Sequence, residues 1–190
     1  MVMRRYKNWV LALFCIAITV VGFSQEQERR TTYKAALSFS PGLLTENTQT
    51  TNLHGYFGIR PGGKVELRGD GFYFLNSMGD RPRFSMNHQL YAGAFYRFSN
   101  KKLQPYTGFQ PGIAYAQSSE YGTIDSNTGE LNYKKSVNPV GAVIGGVDFF
   151  GEKFFYLFAE TRYVFGKHKS DTYPVFLDEW RFSFGLGIHL

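Results

Sequence analysis

The sequence predicts an all-β chain: an eight-stranded antiparallel up-and-down transmembrane β-barrel that follows a cleaved signal peptide. Three observations predict it. The first 24 residues read as an export signal, the remainder alternates apolar and polar residues with period two, and the links between alternating segments are by turns long and short.

Met1 to Asn8 carries Arg4, Arg5 and Lys7 and no acid. Trp9 to Phe23 is apolar apart from Thr19, and Gly22-Phe23-Ser24 places small residues where a signal peptidase reads them. A membrane-spanning helix needs about 20 apolar residues; this run is shorter and ends in Gln25-Glu26-Gln27-Glu28. Cys15 does not mark a lipoprotein, because Phe14 precedes it where a small residue is required. The organisation expected is therefore a signal peptide over 1–24, a short periplasmic segment over 25–32 and a barrel over 33–190. Half of the formal charge of +6, and the single cysteine, leave with the signal. Disulfides, a thiol nucleophile and a cysteine-based zinc site are excluded with them. Nucleic acid is excluded as a partner too, since Lys101-Lys102 and Lys134-Lys135 are isolated pairs and form no basic stripe.

Successive side chains of a strand point to opposite sides, so apolar residues at every second position mark a strand with one apolar face. Segment 33–41, which ends in Pro41, reads as the first strand with its phase blurred. The second is Leu53-Gly55-Phe57-Ile59, the third Val65-Leu67-Gly69-Gly71-Tyr73, and the fourth Met86-His88-Leu90-Ala92-Ala94-Tyr96-Phe98. Segments 103–116 and 137–149 supply the fifth and sixth, again blurred by Gly and Pro. The seventh is Phe155-Leu157-Ala159-Thr161-Tyr163-Phe165. The eighth is the clearest: Trp180, Phe182, Phe184, Leu186, Ile188 and Leu190 share one face, opposite Arg181, Ser183, Gly185, Gly187 and His189. Links at 61–63, 99–102 and 150–153 are short, whereas those near 42–52, 76–85, 117–136 and 166–179 are long. Alternating links belong to an up-and-down barrel with unlike ends, and outer-membrane barrels put short turns in the periplasm and long loops outside.

A soluble ligand-binding barrel would show the same periodicity. Tyr73, Tyr96, Phe98, Phe149, Tyr163 and Trp180 near the strand ends favour a bilayer, whose two interfaces select such rings. The other face carries Arg60, Glu66, Arg68, Asp70, Arg97, Glu160, Arg162 and Arg181. Eight strands enclose a lumen that side chains can fill. These residues are therefore expected to form a paired lumen network; the alternative is a narrow pore or small-ligand carrier. His54 and His88 have no obvious partners and read as structural. In the third loop, Tyr121 to Asp125 and Glu130 to Lys134 are expected to form a hairpin about Ser126-Asn127-Thr128-Gly129. Asp125-x-Asn127-x-Gly129 lacks the glycine position and the twelfth-position carboxylate of a calcium loop, so it reads as a turn.

Ser183-x-Gly185-x-x-Ile188-x-Leu190 resembles the C-terminal signal by which outer-membrane barrels are recognised for insertion, departing from it by Ile188 and Leu190 where aromatics are commonest. Phe158-Ala159-Glu160-Thr161-Arg162-Tyr163-Val164-Phe165-Gly166 is similar to the penultimate strand of such proteins. Over 33–190 the chain resembles the small single-domain OmpA/OmpX-type outer-membrane β-barrel family. The resemblance implies an outer-membrane location with periplasmic termini and extracellular long loops. It implies as partners the membrane lipid and lipopolysaccharide, the barrel-insertion machinery through Ser183, Gly185, Ile188 and Leu190, and an extracellular protein or glycan. Neither cofactor nor metal is implied. Some small barrels are lipid A hydrolases with a His-x-Ser pair, which His168-Lys169-Ser170 resembles, with Asp178 and Glu179 downstream. Asp171 stands where those enzymes have Asn, so a structural or surface-interaction role is the leading expectation and hydrolysis the alternative.

Overall fold

The computed structural model describes residues 31–44, 48–78, 83–126, 128–151 and 154–190. The expected signal peptide, Cys15 and most of the 25–32 segment lie outside the described residues, as do Asp80, Arg81 and Pro82 of the second loop, Asn127, Glu152 and Lys153.

Eight strands carry the alternation: β1 (Thr32–Leu44), β2 (Gln49–Arg60), β3 (Val65–Met78), β4 (Phe84–Arg97), β5 (Leu103–Ser118), β6 (Lys135–Phe149), β7 (Phe155–His168) and β8 (Glu179–His189). Every neighbouring pair is antiparallel, and β8 returns to β1 with Lys34 opposite His189 and Leu44 opposite Glu179. The sheet is therefore a closed barrel. Closure satisfies the backbone groups that an open edge would leave unpaired, which is the condition for strands to cross hydrocarbon. At 11 to 16 residues each, the strands exceed the roughly 9–11 needed to span it at a tilt.

The outer wall is apolar. Leu37, Phe39, Leu90 and Phe184 are each more than 60% exposed, and the predicted rings Tyr73, Tyr96, Phe98, Phe149 and Trp180 stand outside with them. The polar face points into the lumen. One turn depends on glycine: Gly62 and Gly63, at φ 103° and 79°, carry the chain from β2 to β3 in a region that side chains with a Cβ disfavour.

Two expectations need correction. The links near 42–52 and 76–85 are not long: β1 and β2 leave only 45–48 between them, and β3 and β4 only 79–83. Thr50 and Asn52 interrupt the apolar pattern because they face the lumen, yet the ladder continues through them. Only 119–134 and 169–178 remain long. The first of these holds the expected hairpin, in which Thr123 and Ile124 pair with Asn132 and Leu131. In the second, Val175–Phe176 folds back on His168 and Lys167 of β7.

Candidate functional site

The lumen is a stack of ionic layers. Among the described residues, the buried cations Lys34, Arg68, Arg97, Arg162 and Arg181 face the buried carboxylates Glu66, Asp70, Asp148, Glu160 and Glu179. The strands that deliver them do so by parity alone, every second residue pointing inward.

Nearest the short turns, Lys34, Glu66, Arg97 and Asp148 form a closed square. Lys34 Nζ lies 2.9 Å from Asp148 and 3.5 Å from Glu66, and Arg97 lies 2.7 Å from Glu66 and 2.8 Å from Asp148. The Lys34 ammonium also sits over the rings of Phe150 and Tyr156. Beside this layer the Tyr56 and Tyr156 hydroxyls share a hydrogen bond of 2.6 Å. Arg60, half-buried at the end of β2, donates instead to the Gln104 side-chain oxygen at 3.1 Å.

The middle layer joins Arg68, Asp70, Glu160 and Arg162. Both guanidiniums reach Asp70 at 2.9 Å, Arg162 reaches Glu160 at 3.1 Å, and Arg68 also donates to Glu160. Gln110 donates to Asp70 at 2.6 Å and the Tyr106 hydroxyl to Glu160 at 3.0 Å. The Arg68 guanidinium lies between the rings of Tyr56 and Phe95, about 4 Å from each centroid. Buried charges are tolerable when paired and hydrogen-bonded in this way. His54, which the sequence left without partners, belongs here: its Nε2 is 2.8 Å from Asp70 and its Nδ1 is 3.2 Å from Ser38 Oγ. The ring thus bridges the Asp70 carboxylate and the Ser38 hydroxyl.

Toward the long loops, Arg181 pairs with Glu179 at 2.5 Å and lies over Phe72, and Thr50 donates to Glu179. At this end Leu44, which pairs opposite Glu179, is buried with Phe84, Val175 and Leu177 in one apolar cluster. Lys34, Asp148 and Glu179 were missed from sequence. Glu179 shares the parity of Arg181 and was legible; the other two lie in the strands whose phase Gly, Pro and Ala blur.

His54, Asp70 and Glu160 bring three metal-ligating atoms within 4.8 Å of one another. The arrangement does not suit a cation, because both carboxylates already hold Arg68 and Arg162, and a dication would sit between two guanidiniums.

The hydrolase pairing is not assembled. The Ser170 hydroxyl donates to the Tyr173 carbonyl, while His168 turns into the lumen with Nδ1 at 3.0 Å from Ser136 Oγ. Of the downstream acids, Asp178 accepts the Gly166 N–H at 3.1 Å, and Glu179 holds Arg181. Two residues at i and i+2 share a face only while the strand continues, and β7 ends at His168.

A closed barrel with an apolar wall, two long loops at one end and a charge-paired interior can be set beside solved structures. The outer membrane protein OprG from Pseudomonas aeruginosa superposes with a TM-score of 0.59 at 14% identity, covering 85% of this chain and 97% of its own. The fold is that of the small outer-membrane β-barrels. The N-terminal β-barrel domain of Pseudomonas aeruginosa OprF (TM-score 0.57, 14% identity, 86% of this chain and 100% of that one) is similar as well. So is Neisserial surface protein A (TM-score 0.57, 15% identity, 84% of this chain and 96% of that one). No protein-family profile matches the sequence, and no curated protein matches it. A shared fold of this kind does not carry a shared function.

Proposed function

We propose that this outer-membrane barrel is a structural and surface-interaction protein that acts through the loops 119–134 and 169–178 and is neither a channel nor a hydrolase. The observation that carries the reading is the occupied interior: buried ion pairs line up along the lumen, and Leu44, Phe84, Val175 and Leu177 are buried in an apolar cluster toward the long loops. Chemistry with large partners is then left to the loop tips, where a rigid scaffold most often carries it.

The tips support this reading. Tyr121 of the third loop packs edge-on against Tyr173 of the fourth, with ring centroids 5.6 Å apart, so the two loops present one surface. Tyr121 adopts φ 58°, a conformation rare for a bulky residue. Such backbone persists where surrounding contacts over-determine it, and it clusters at ligand clamps. Ile124 and Leu131 face each other across the ribbon and are exposed. A glycan, a lipopolysaccharide core or a protein on another cell fits a surface of tyrosines and apolar side chains. One of the fold neighbours is itself named a surface protein. In this reading the short turns lie in the periplasm and Ser183, Gly185, Ile188 and Leu190 address the insertion machinery.

Two measurements test it. Trypsin added to intact cells is expected to cut at Lys134 or Lys135 and leave a membrane-embedded remainder; cleavage only after the outer membrane is opened would reverse the orientation. In planar bilayers the wild-type protein is expected to give no steady open current. A sustained conductance would replace the interaction reading with a pore, and release of fatty acid from purified lipid A, abolished by Ser170→Ala, would replace it with a hydrolase.

A further inference from the structure

The wall of the barrel is not uniform. The ladder between β3 and β4 stops at Phe72 opposite Gln89, although β3 runs on to Met78 and β4 begins at Phe84. Both strands are irregular on their far sides in the same region, between Thr51 and Asn52 on β2 and between Phe84 and Met86 on β4. Beyond the last ladder pair a side chain takes the place of backbone: the Phe74 N–H donates to His88 Nδ1 at 3.1 Å. The His88 ring is held there by stacking on Tyr73, 4.4 Å between centroids and 20° between planes.

Over this seam lies a depression of about 450 Å³ in the outer wall, lined almost wholly by carbon. Its floor follows a row across the sheet, Leu37 opposite Gly55, Gly55 opposite Gly71 and Gly71 opposite Leu90. The two glycines lack the side chains that would level the wall, and Leu37 and Leu90 form its shoulders. Phe72 and Gln89, the last ladder pair, also contribute to its lining.

The polar groups on the depression include two donors. His88 Nδ1 accepts a hydrogen bond, so the neutral ring carries its proton on Nε2. Tyr115, directly opposite His88 on β5, adds a hydroxyl. Among the described residues, no lysine, arginine or carboxylate lines the depression. We infer that it is a docking groove for one ester-linked acyl chain of a membrane lipid, with the ester carbonyl accepting from His88 or Tyr115. The groove is continuous with the lipid-facing wall, so lipid is the material that meets it. An uncharged acceptor on an apolar chain matches a groove of carbon with neutral donors; a phosphate or a sugar would be left without its hydrogen bonds.

The groove can be filled without disturbing the barrel. A Cβ at Gly71 would meet Leu90 at 3.5 Å and the Gly55 carbonyl at 4.0 Å, both ordinary contacts. The full chain isolated from membranes in an ether-type detergent, with dimyristoylphosphatidylcholine added, is analysed by native mass spectrometry after the micelle is stripped. Wild type is expected to retain one phospholipid, and Gly71→Leu to lose it while still showing the heat-modifiable migration of a folded barrel. Removing both donors, His88→Phe with Tyr115→Phe, is expected to lose the preference for the ester lipid over its dialkyl ether counterpart. Equal retention by wild type and folded Gly71→Leu, no retention by wild type, or capture of free myristic acid in place of phospholipid would each overturn the assignment.

Discussion

Asp70→Ala is expected to destabilise the barrel by about 3–5 kcal/mol, the cost of removing one partner from a buried ion pair. The loss arises less from the bonds removed than from what they leave behind. Arg68 and Arg162 each reach Asp70 at 2.9 Å, and both would then share Glu160 alone. The layer would hold two buried guanidiniums for one carboxylate, with His54 Nε2 stripped of its acceptor and Gln110 left with the Arg68 carbonyl alone. A guanidinium cannot relieve this by losing its proton, because it stays protonated in proteins. Asp70→Asn should recover little, since the shape returns without the charge. The measurement is the urea midpoint of the folded, fast-migrating form in detergent. A midpoint within error of wild type would show that the layer is hydrated and that its charges do not depend on one another.

Glu179 and Arg181 allow the complementary experiment, because this pair stands apart from the four-membered layers. Each single change, Glu179→Met or Arg181→Met, is expected to cost about 3–5 kcal/mol by stranding the other charge. The double substitution removes both charges and adds apolar volume beside Phe72 and the Leu44 cluster. It is expected to return most of the loss, as replacement of a buried pair by hydrophobic residues is often neutral. The coupling free energy of the cycle should therefore be large for residues in contact, at about 2 kcal/mol or more. Additive losses would mean that the pair contributes through separate contacts, such as the hydroxyl of Thr50 on Glu179.

Period two revealed which residues face the lumen, and it did so best where large side chains keep the phase. In β8, Arg181 and Ser183 alternate with Trp180, Phe182 and Phe184, and the structure places each where that alternation puts it. In β1 and β6 the faces are written in small residues, so Lys34 and Asp148 went unrecognised although they form a direct ion pair. Partnership is a different matter from parity. Lys34 and Asp148 are separated by 114 positions, and no local pattern states that the barrel brings them to one level. His54 failed for the same reason, its acceptor lying on the neighbouring strand. The error over the first two loops had another cause. Thr and Asn look like loop residues, but Thr50 and Asn52 extend the ladder and turn into the lumen. His168 and Ser170 show the limit of spacing as evidence, since a motif read along a strand loses its meaning one residue past the strand's end.

The pairing of β1 with β8 carries a kinetic consequence. Lys34 meets His189, a separation that spans nearly the whole described chain, while every other neighbour in the barrel is joined through one connection. Contacts of such range form slowly because the intervening chain must first be ordered. During synthesis and export β1 emerges first, and the partner that closes its free edge emerges last. Throughout that interval the chain presents an unpaired strand and a set of apolar faces to water, the state most exposed to association with other chains. The order of events should then be insertion of hairpins followed by a late sealing of the first strand to the last. The folding rate is accordingly expected to respond to changes in the β1–β8 seam more than to equally destabilising changes inside any one hairpin.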